Sequence, residues 1–213
     1  MQNSSNFENK RGGLMKWAAV NEAKLPTVTA YWVAALVLAL AVLSRFFPHP
    51  DNVSPMLAAS LVAGLVLGRG RTLQATLMTA LAMILSDIVI GFHSTALFVY
   101  AGMGLAALVS SQAAPWILSS PQVANRFGRS LLSSALASIA GSFIFFLISN
   151  LGVWLVGELY PMTASGFVAC YAMALPFFAK SLLGDFVFGT TMLVAVSSAV
   201  VRFRGALRLN YAR

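Results

Sequence analysis

The sequence predicts an all-α integral membrane protein with six transmembrane helices. Of its 213 residues, 59% are hydrophobic and only 9% are charged, and the mean hydropathy is +0.81. A helix needs roughly 20 apolar residues to cross a hydrocarbon core about 30 Å thick, and the chain contains several apolar runs of about this length. The composition is that of a membrane protein and excludes a soluble domain.

The six predicted crossings follow one another through most of the chain. The second is shorter than the others and contains glycine. They are residues 27–47, 54–67, 73–91, 95–118, 131 to about 149, and 181–201. Because their number is even, both ends of the chain should lie on the same side of the membrane.

The distribution of charge predicts the orientation of these helices, because Lys and Arg near helix ends are retained in the cytoplasm. Twelve of the fourteen Lys and Arg residues fall on one side, and four of the six acidic residues fall on the other with Arg45 and Lys180. We expect both termini in the cytoplasm, with a tail over 1–26, a membrane domain over 27–201 and a basic tail over 202–213. Orientation and anionic lipid then account for the net charge of +8, and no nucleic-acid partner is expected.

The apolar segment 163–178 is not expected to be a seventh crossing. Pro161 and Pro176 bracket about 16 residues here, which as a helix would reach only about 24 Å. A seventh crossing would also place the arginines of the carboxyl-terminal tail outside the cell. We predict a partly helical external loop between helices five and six, lying on the membrane or dipping into it.

The external ends of the predicted helices collect nearly every side chain with binding chemistry. Prolines stiffen the first loop, and Asp87 lies about one turn, roughly 6 Å, inside the end of the third helix. A carboxylate at such a depth normally faces a partner or water. The residues expected to line an outward-facing pocket for a small molecule are Arg45, His49, Asp51, Asn52, Asp87, His93, Asn150, Trp154, Tyr171, Lys180 and Asp185.

Structural roles are open for several of these residues. Arg45 and Lys180 can extend toward the membrane surface without binding a ligand. Asp87 and Asp185 can pair with these cations as structural ion pairs. Trp154 can belong to the aromatic belt at the membrane surface.

Alanines on the first helix have the spacing of close helix contacts. Ala30 and Ala34, and likewise Ala35 and Ala39, are small residues four positions apart. Such a face can pack inside the protein or dock a partner.

The sequence offers no catalytic or cofactor signature. Its lone cysteine, Cys170, excludes an internal disulfide and a multi-cysteine metal site. The chain contains no HExxH helix, no GxSxG turn and no GxxxxGK[ST] loop. We expect that the protein is not an enzyme, has no cofactor and does not bind ATP itself.

Six helices with cytoplasmic ends, an alanine-spaced first helix and polar external loops resemble the substrate-binding S components of energy-coupling-factor transporters. Four motifs resemble, more narrowly, a bacterial family of uncharacterised transport proteins, over residues 27–201. They are Arg45-Phe-Phe-Pro-His-Pro, Leu85-Ser-Asp-Ile-Val-Ile-Gly-Phe-His93, Asn150-Leu-Gly-Val-Trp154 and Leu183-Gly-Asp-Phe-Val-Phe188.

The resemblance to S components implies capture of a vitamin or similar micronutrient from outside the bacterial cytoplasmic (inner) membrane. It also implies a transmembrane coupling subunit with two cytoplasmic ATPases, docked on Ala30, Ala34, Ala35 and Ala39. Some S components bind cobalamin through a cysteine in an external loop. In this chain only His93 or Cys170 could contact cobalt, so a cobamide is one candidate ligand and a polar heterocycle is another.

A second class of function fits the same residues. In an ion- or proton-coupled secondary carrier, Asp87 and Asp185 would be the groups that gain and lose a proton within the membrane.

Overall fold

The computed structural model describes residues 26–48, 53–118 and 126–211, and its regular structure there is entirely helical. A 3₁₀ turn at Arg69–Arg71 joins the second and third helices. The six α-helices are α1 (Thr27–Ser44), α2 (Pro55–Leu67), α3 (Thr72–Ile90), α4 (Ala96–Leu118), α5 (Arg126–Val156) and α6 (Ala164–Tyr211). The all-α prediction is confirmed.

Several of these helices have the length and composition of membrane crossings. Among the described residues there are four, Thr27–Ser44, Arg69–Ile90, Ala135–Val156 and Ala164–Val196, while Pro55–Leu67 and Ala96–Gln112 are shorter apolar helices. The protein is therefore of the membrane class. Six crossings and their orientation stay predictions.

Helix α2 is the centre of the bundle and packs against all five other helices. Twelve of its thirteen residues are buried, as expected for a helix that is apolar on every side. Pro55 occupies the first position of α2, and the Ser54 hydroxyl accepts a hydrogen bond from the Met56 N–H at 3.3 Å. Both features are typical of a helix start.

Close contact between α2 and α4 depends on Gly64. A β-carbon at this position would lie 2.3 Å from the Ala107 carbonyl oxygen, so only glycine fits without displacement. Gly68 follows the last residue of α2 with φ +74, a backbone conformation that glycine adopts without strain. The Gly64-x-x-x-Gly68 spacing thus marks one helix contact and one helix end.

The outer surface of the described bundle is largely apolar. On α1, one face enters the core, including Ala30, Ala34 and Val37, while Trp32 and Leu36 on the opposite face are exposed. Water would disfavour so many exposed large apolar side chains on a monomer, whereas lipid accommodates them. This surface fits a protein surrounded by membrane.

The prediction of a partly helical loop over 163–178 is wrong in its boundaries. The structure begins α6 at Ala164 and continues it without a break through Pro176 to Tyr211, so the connection between α5 and α6 is confined to 157–163. The Thr163 hydroxyl accepts a hydrogen bond from the Gly166 N–H at 3.1 Å and caps the start of α6. Sequence reasoning treated Pro176 as a boundary, but a proline removes one bond of the helix ladder and can bend a helix without ending it.

Candidate functional site

An ion pair joins the end of α1 to the end of α3. Arg45 directly follows α1, and its Nη2 lies 2.6 Å from Oδ1 of Asp87, in the last turn of α3. The Asp87 side chain is 0% exposed and that of Arg45 is 17% exposed. The Nη2–Oδ1 contact is not aligned as a hydrogen bond, although its distance is that of a close ion pair. The structural ion pair considered for Asp87 is therefore present, with Arg45 as its partner.

The side chains of Tyr100, Ser86 and Met83 complete this cluster, and the Met83 sulfur accepts a hydrogen bond from Arg45 Nη1 at 3.7 Å. The Tyr100 hydroxyl donates to Asp87 Oδ2 at 2.5 Å. Arg45 Nη1 donates to the Ser86 hydroxyl, which in turn donates to the Met83 carbonyl oxygen at 2.8 Å. Each partner thus fixes the orientation of Arg45 or Asp87.

Tyr100 was absent from the predicted site. Helices α3 and α4 are joined by a short turn over residues 91–95, and Asp87 and Tyr100 lie at similar distances from that turn. Consecutive helices joined by a short turn run antiparallel, so equal distances from the turn place two residues side by side. That register is the signal that could have identified Tyr100.

Asp185 is a second buried carboxylate, and its partners are neutral. It is 2% exposed. The Ser142 hydroxyl on α5 donates to Asp185 Oδ2 at 2.6 Å, and the backbone N–H of Ala58 also donates to the carboxylate. Ala58 belongs to the first turn of α2, the end of a helix that favours negative charge. Within the described ranges Asp185 forms no ion pair, with Arg45, Lys180 or any other cation.

The two carboxylates bind opposite ends of the connection between α1 and α2. Asp87 holds Arg45 where the connection begins, and Asp185 holds the first turn of α2 where it ends. Gly184 adds a close approach there, because a β-carbon on it would lie 3.1 Å from Val53 Cγ1. The predicted site residues His49, Asp51 and Asn52 also belong to this connection, but they lie outside the described residues.

Three predicted site residues come together between α5 and α6, where their polar atoms bind backbone carbonyl oxygens. Asn150 Nδ2 donates to Phe146 at 2.8 Å, Trp154 Nε1 to Pro161 at 3.1 Å, and the Tyr171 hydroxyl to Leu147 at 2.7 Å. Aromatic rings pack between the two helices, as in the edge-to-face contact of Trp154 with Phe167 at 5.2 Å. These contacts give the three residues a structural role between α5 and α6.

His93 and Lys180 are both exposed. His93 Nδ1 lies 2.9 Å from the Thr95 hydroxyl in the turn between α3 and α4. Cys170 is buried, and its thiol donates to the Asn150 carbonyl oxygen at 3.5 Å. The described part of the chain contains no group of three His, Cys, Asp or Glu side chains that could hold a metal ion.

The four alanines predicted to dock a partner do not share one accessible face. Ala30 and Ala34 belong to the hydrophobic core. Ala35 is half-buried and Ala39 is exposed. In this conformation a partner could reach Ala35 and Ala39 but not Ala30 or Ala34.

A line of hydroxyl groups extends along the face of α3 that meets α4. The Thr76 hydroxyl donates to the Gly104 carbonyl oxygen at 3.2 Å, and the Ser111 hydroxyl donates to Thr72 Oγ1 at 2.8 Å. Thr79 is buried, and its hydroxyl has no hydrogen-bond partner in the part of the chain that the structure describes. Hydroxyl groups of this kind commonly join helices within membranes.

Comparison with known proteins identifies the family but not an activity. No curated protein and no solved structure matches the chain. A family model described as a family of unknown function, DUF6580, matches residues 26–206, which include all six helices except the end of α6. The chain belongs to the DUF6580 family.

Proposed function

We propose that this protein captures a vitamin or similar micronutrient from outside a bacterial cytoplasmic membrane, as S components of energy-coupling-factor transporters do. The observation that supports this proposal most is the cluster of Arg45, Asp87 and Tyr100 at the end of the bundle where α1 ends. Buried ionisable groups inside a membrane protein commonly mark a substrate path.

Arg45 is the residue of this cluster best suited to contact a ligand. Its side chain is 17% exposed, whereas Asp87 is fully buried. Arginine carries five N–H donors in a rigid, planar fork. Nη1 of Arg45 donates to Ser86 and Met83 and Nη2 pairs with Asp87, while Nε has no hydrogen bond within the described residues. A guanidinium held in this way can bind a carboxylate or phosphate group by paired hydrogen bonds. The proposed ligand therefore carries an acidic group, as a carboxylated heterocycle or a cobamide does.

Release into the cell would need an energy source outside this chain. The proposed partners are a transmembrane coupling subunit and two cytoplasmic ATPases. Ala35 and Ala39 are the parts of the alanine face that such a subunit could contact in this conformation.

The proposal is tested by mass spectrometry of small molecules that co-purify with the detergent-solubilised protein. The wild type should retain an acidic micronutrient that Arg45→Gln loses. Because Arg45→Gln leaves the buried Asp87 unpaired, the double variant Arg45→Met, Asp87→Leu is compared as well and should also lose the ligand. Arg69→Gln removes an equal charge from an exposed position at the other end of the bundle and should retain it. Equal retention by all four proteins, or an absence of any retained molecule from rich medium, would contradict capture at Arg45.

A second candidate function rests on Asp185. This carboxylate is buried and receives hydrogen bonds from neutral groups, so protonation removes its charge without leaving a cation unpaired. An ion- or proton-coupled carrier needs such a group. For this function, a proton ionophore should abolish uptake while ATP depletion spares it, and the capture function predicts the reverse.

A further inference from the structure

An open groove with a volume of about 340 Å³ lies between α5 and α6. Its walls are almost wholly apolar. They include Ala135, Ser138 and Ile139 from α5, and Ala179, Leu183 and Phe186 from α6. Leu183 and Ile139 are exposed, so the groove opens on the outer surface of the bundle rather than toward its core.

The groove is shorter than one leaflet of a membrane. Its wall on α5 runs from Ala135 to Ile139 and its wall on α6 from Ala179 to Phe186. The longer wall spans seven residues, or about 10 Å of helix, compared with about 15 Å for half of the hydrocarbon core. The groove therefore accommodates part of an acyl chain.

A lysine borders this groove in the middle of an apolar surface. Lys180 is exposed and lies on α6 three residues before Leu183, so the two side chains are neighbours on the helix. Phe177 on one side of Lys180 and Val187 on the other are also exposed. No ion pair to Lys180 occurs within the ranges that the structure describes.

A charged ammonium group on such a surface needs a counter-charge or access to water. We propose that the α5–α6 groove binds an anionic phospholipid, whose phosphate pairs with Lys180 and whose acyl chain lies partly in the groove. The lipid supplies the negative charge that the neighbouring helices do not. The proposal does not depend on which ligand the protein transports.

The test is native mass spectrometry of the purified protein with phosphatidylglycerol or phosphatidylcholine of the same acyl chains. The wild type should retain phosphatidylglycerol about fivefold more than phosphatidylcholine, as expected for one basic residue beside an anionic lipid. Lys180→Gln should abolish this preference. Arg69→Gln, which removes an exposed charge far from the groove, should preserve it.

A second pair of variants tests the groove separately from the charge. Ala179→Leu fills the groove and should reduce retention of both lipids, whereas Ala172→Leu adds the same volume at an exposed position of α6 that does not line it. Equal retention of the two lipids by the wild type would overturn the role of Lys180. Unchanged retention in Ala179→Leu would overturn the role of the groove. Ala172 and Ala179 are both exposed, so both leucine variants should fold, and gel filtration checks this.

Discussion

The guanidinium of Arg45 and the carboxylate of Asp87 form an ion pair at 2.6 Å, although 42 positions separate them in the chain. The pair ties the end of α1 to the end of α3, and Tyr100 adds α4 to the same cluster. One buried carboxylate therefore holds three helices together at a single end of the bundle.

Replacing only Asp87 should strongly destabilise the fold. Asp87→Leu leaves Arg45 without its partner, and losing one member of a buried pair costs about 3 to 5 kcal/mol. The double variant Arg45→Met, Asp87→Leu removes both charges and should recover most of that loss. Chemical unfolding in detergent measures the free energy of unfolding of each variant. If the effects of Asp87→Leu alone and Arg45→Met alone simply add in the double variant, the ion pair does not stabilise the fold.

Replacing either of two threonines on α3 by valine should change the free energy of unfolding, but in opposite directions. Thr79 is buried with an unpartnered hydroxyl, so Thr79→Val should raise the free energy of unfolding by about 1 kcal/mol. Thr76 donates to the Gly104 carbonyl oxygen, so Thr76→Val should lower it by about 1 kcal/mol. Equal shifts in the melting temperatures of the two variants would contradict the hydroxyl contacts described between α3 and α4.

Ser142 should matter more for stability than Ser138, which lies one turn away on α5. Ser142→Ala removes a hydrogen bond to the Asp185 carboxylate, and bonds to charged groups contribute about 1.5 to 3 kcal/mol. The Ser138 hydroxyl is buried and has no partner among the described residues, so Ser138→Ala should not lower the unfolding free energy and should raise it by up to about 1 kcal/mol. Similar effects of the two substitutions would mean that Asp185 is not held by Ser142.

The contact of α2 with α4 should not tolerate a methyl group. A β-carbon at Gly64 would lie 2.1 Å from the Ser110 hydroxyl oxygen, so Gly64→Ala should destabilise by about 1 to 3 kcal/mol through overpacking. Gly70→Ala is the matched control, because among the described residues no atom beyond the adjacent chain lies within 4 Å of the added carbon. A Gly64→Ala variant as stable as the Gly70→Ala variant would contradict the close approach.

Sequence reasoning was most accurate for features that depend on neighbours in the chain. The apolar run 54–67 predicts the second helix, and α2 begins and ends within one residue of those bounds, although its central place in the bundle was not predicted. Sequence reasoning misplaced the start of α6, because it treated Pro176 as a boundary. A proline can either end a helix or bend it, and tertiary packing decides which.

The candidate site was predicted in part. Topology alone predicted that Asp87 and Arg45 lie at one end of the bundle, and the structure pairs them. The partners of Asp185 could not be predicted, because Ser142 and Ala58 depend on the register between helices that are distant in sequence. Sequence composition does not fix that register.

Capture from outside requires that the end of the bundle carrying Arg45 and Asp87 faces outside the cell. Labelling of single cysteines with a membrane-impermeant maleimide tests this most directly, in a Cys170→Ala background. His93→Cys, in the exposed turn next to that cluster, should react in intact bacterial cells, and Arg69→Cys, at the opposite end, should react only after the cells are permeabilised. The reverse pattern would place the cluster on the cytoplasmic side and contradict the proposed function.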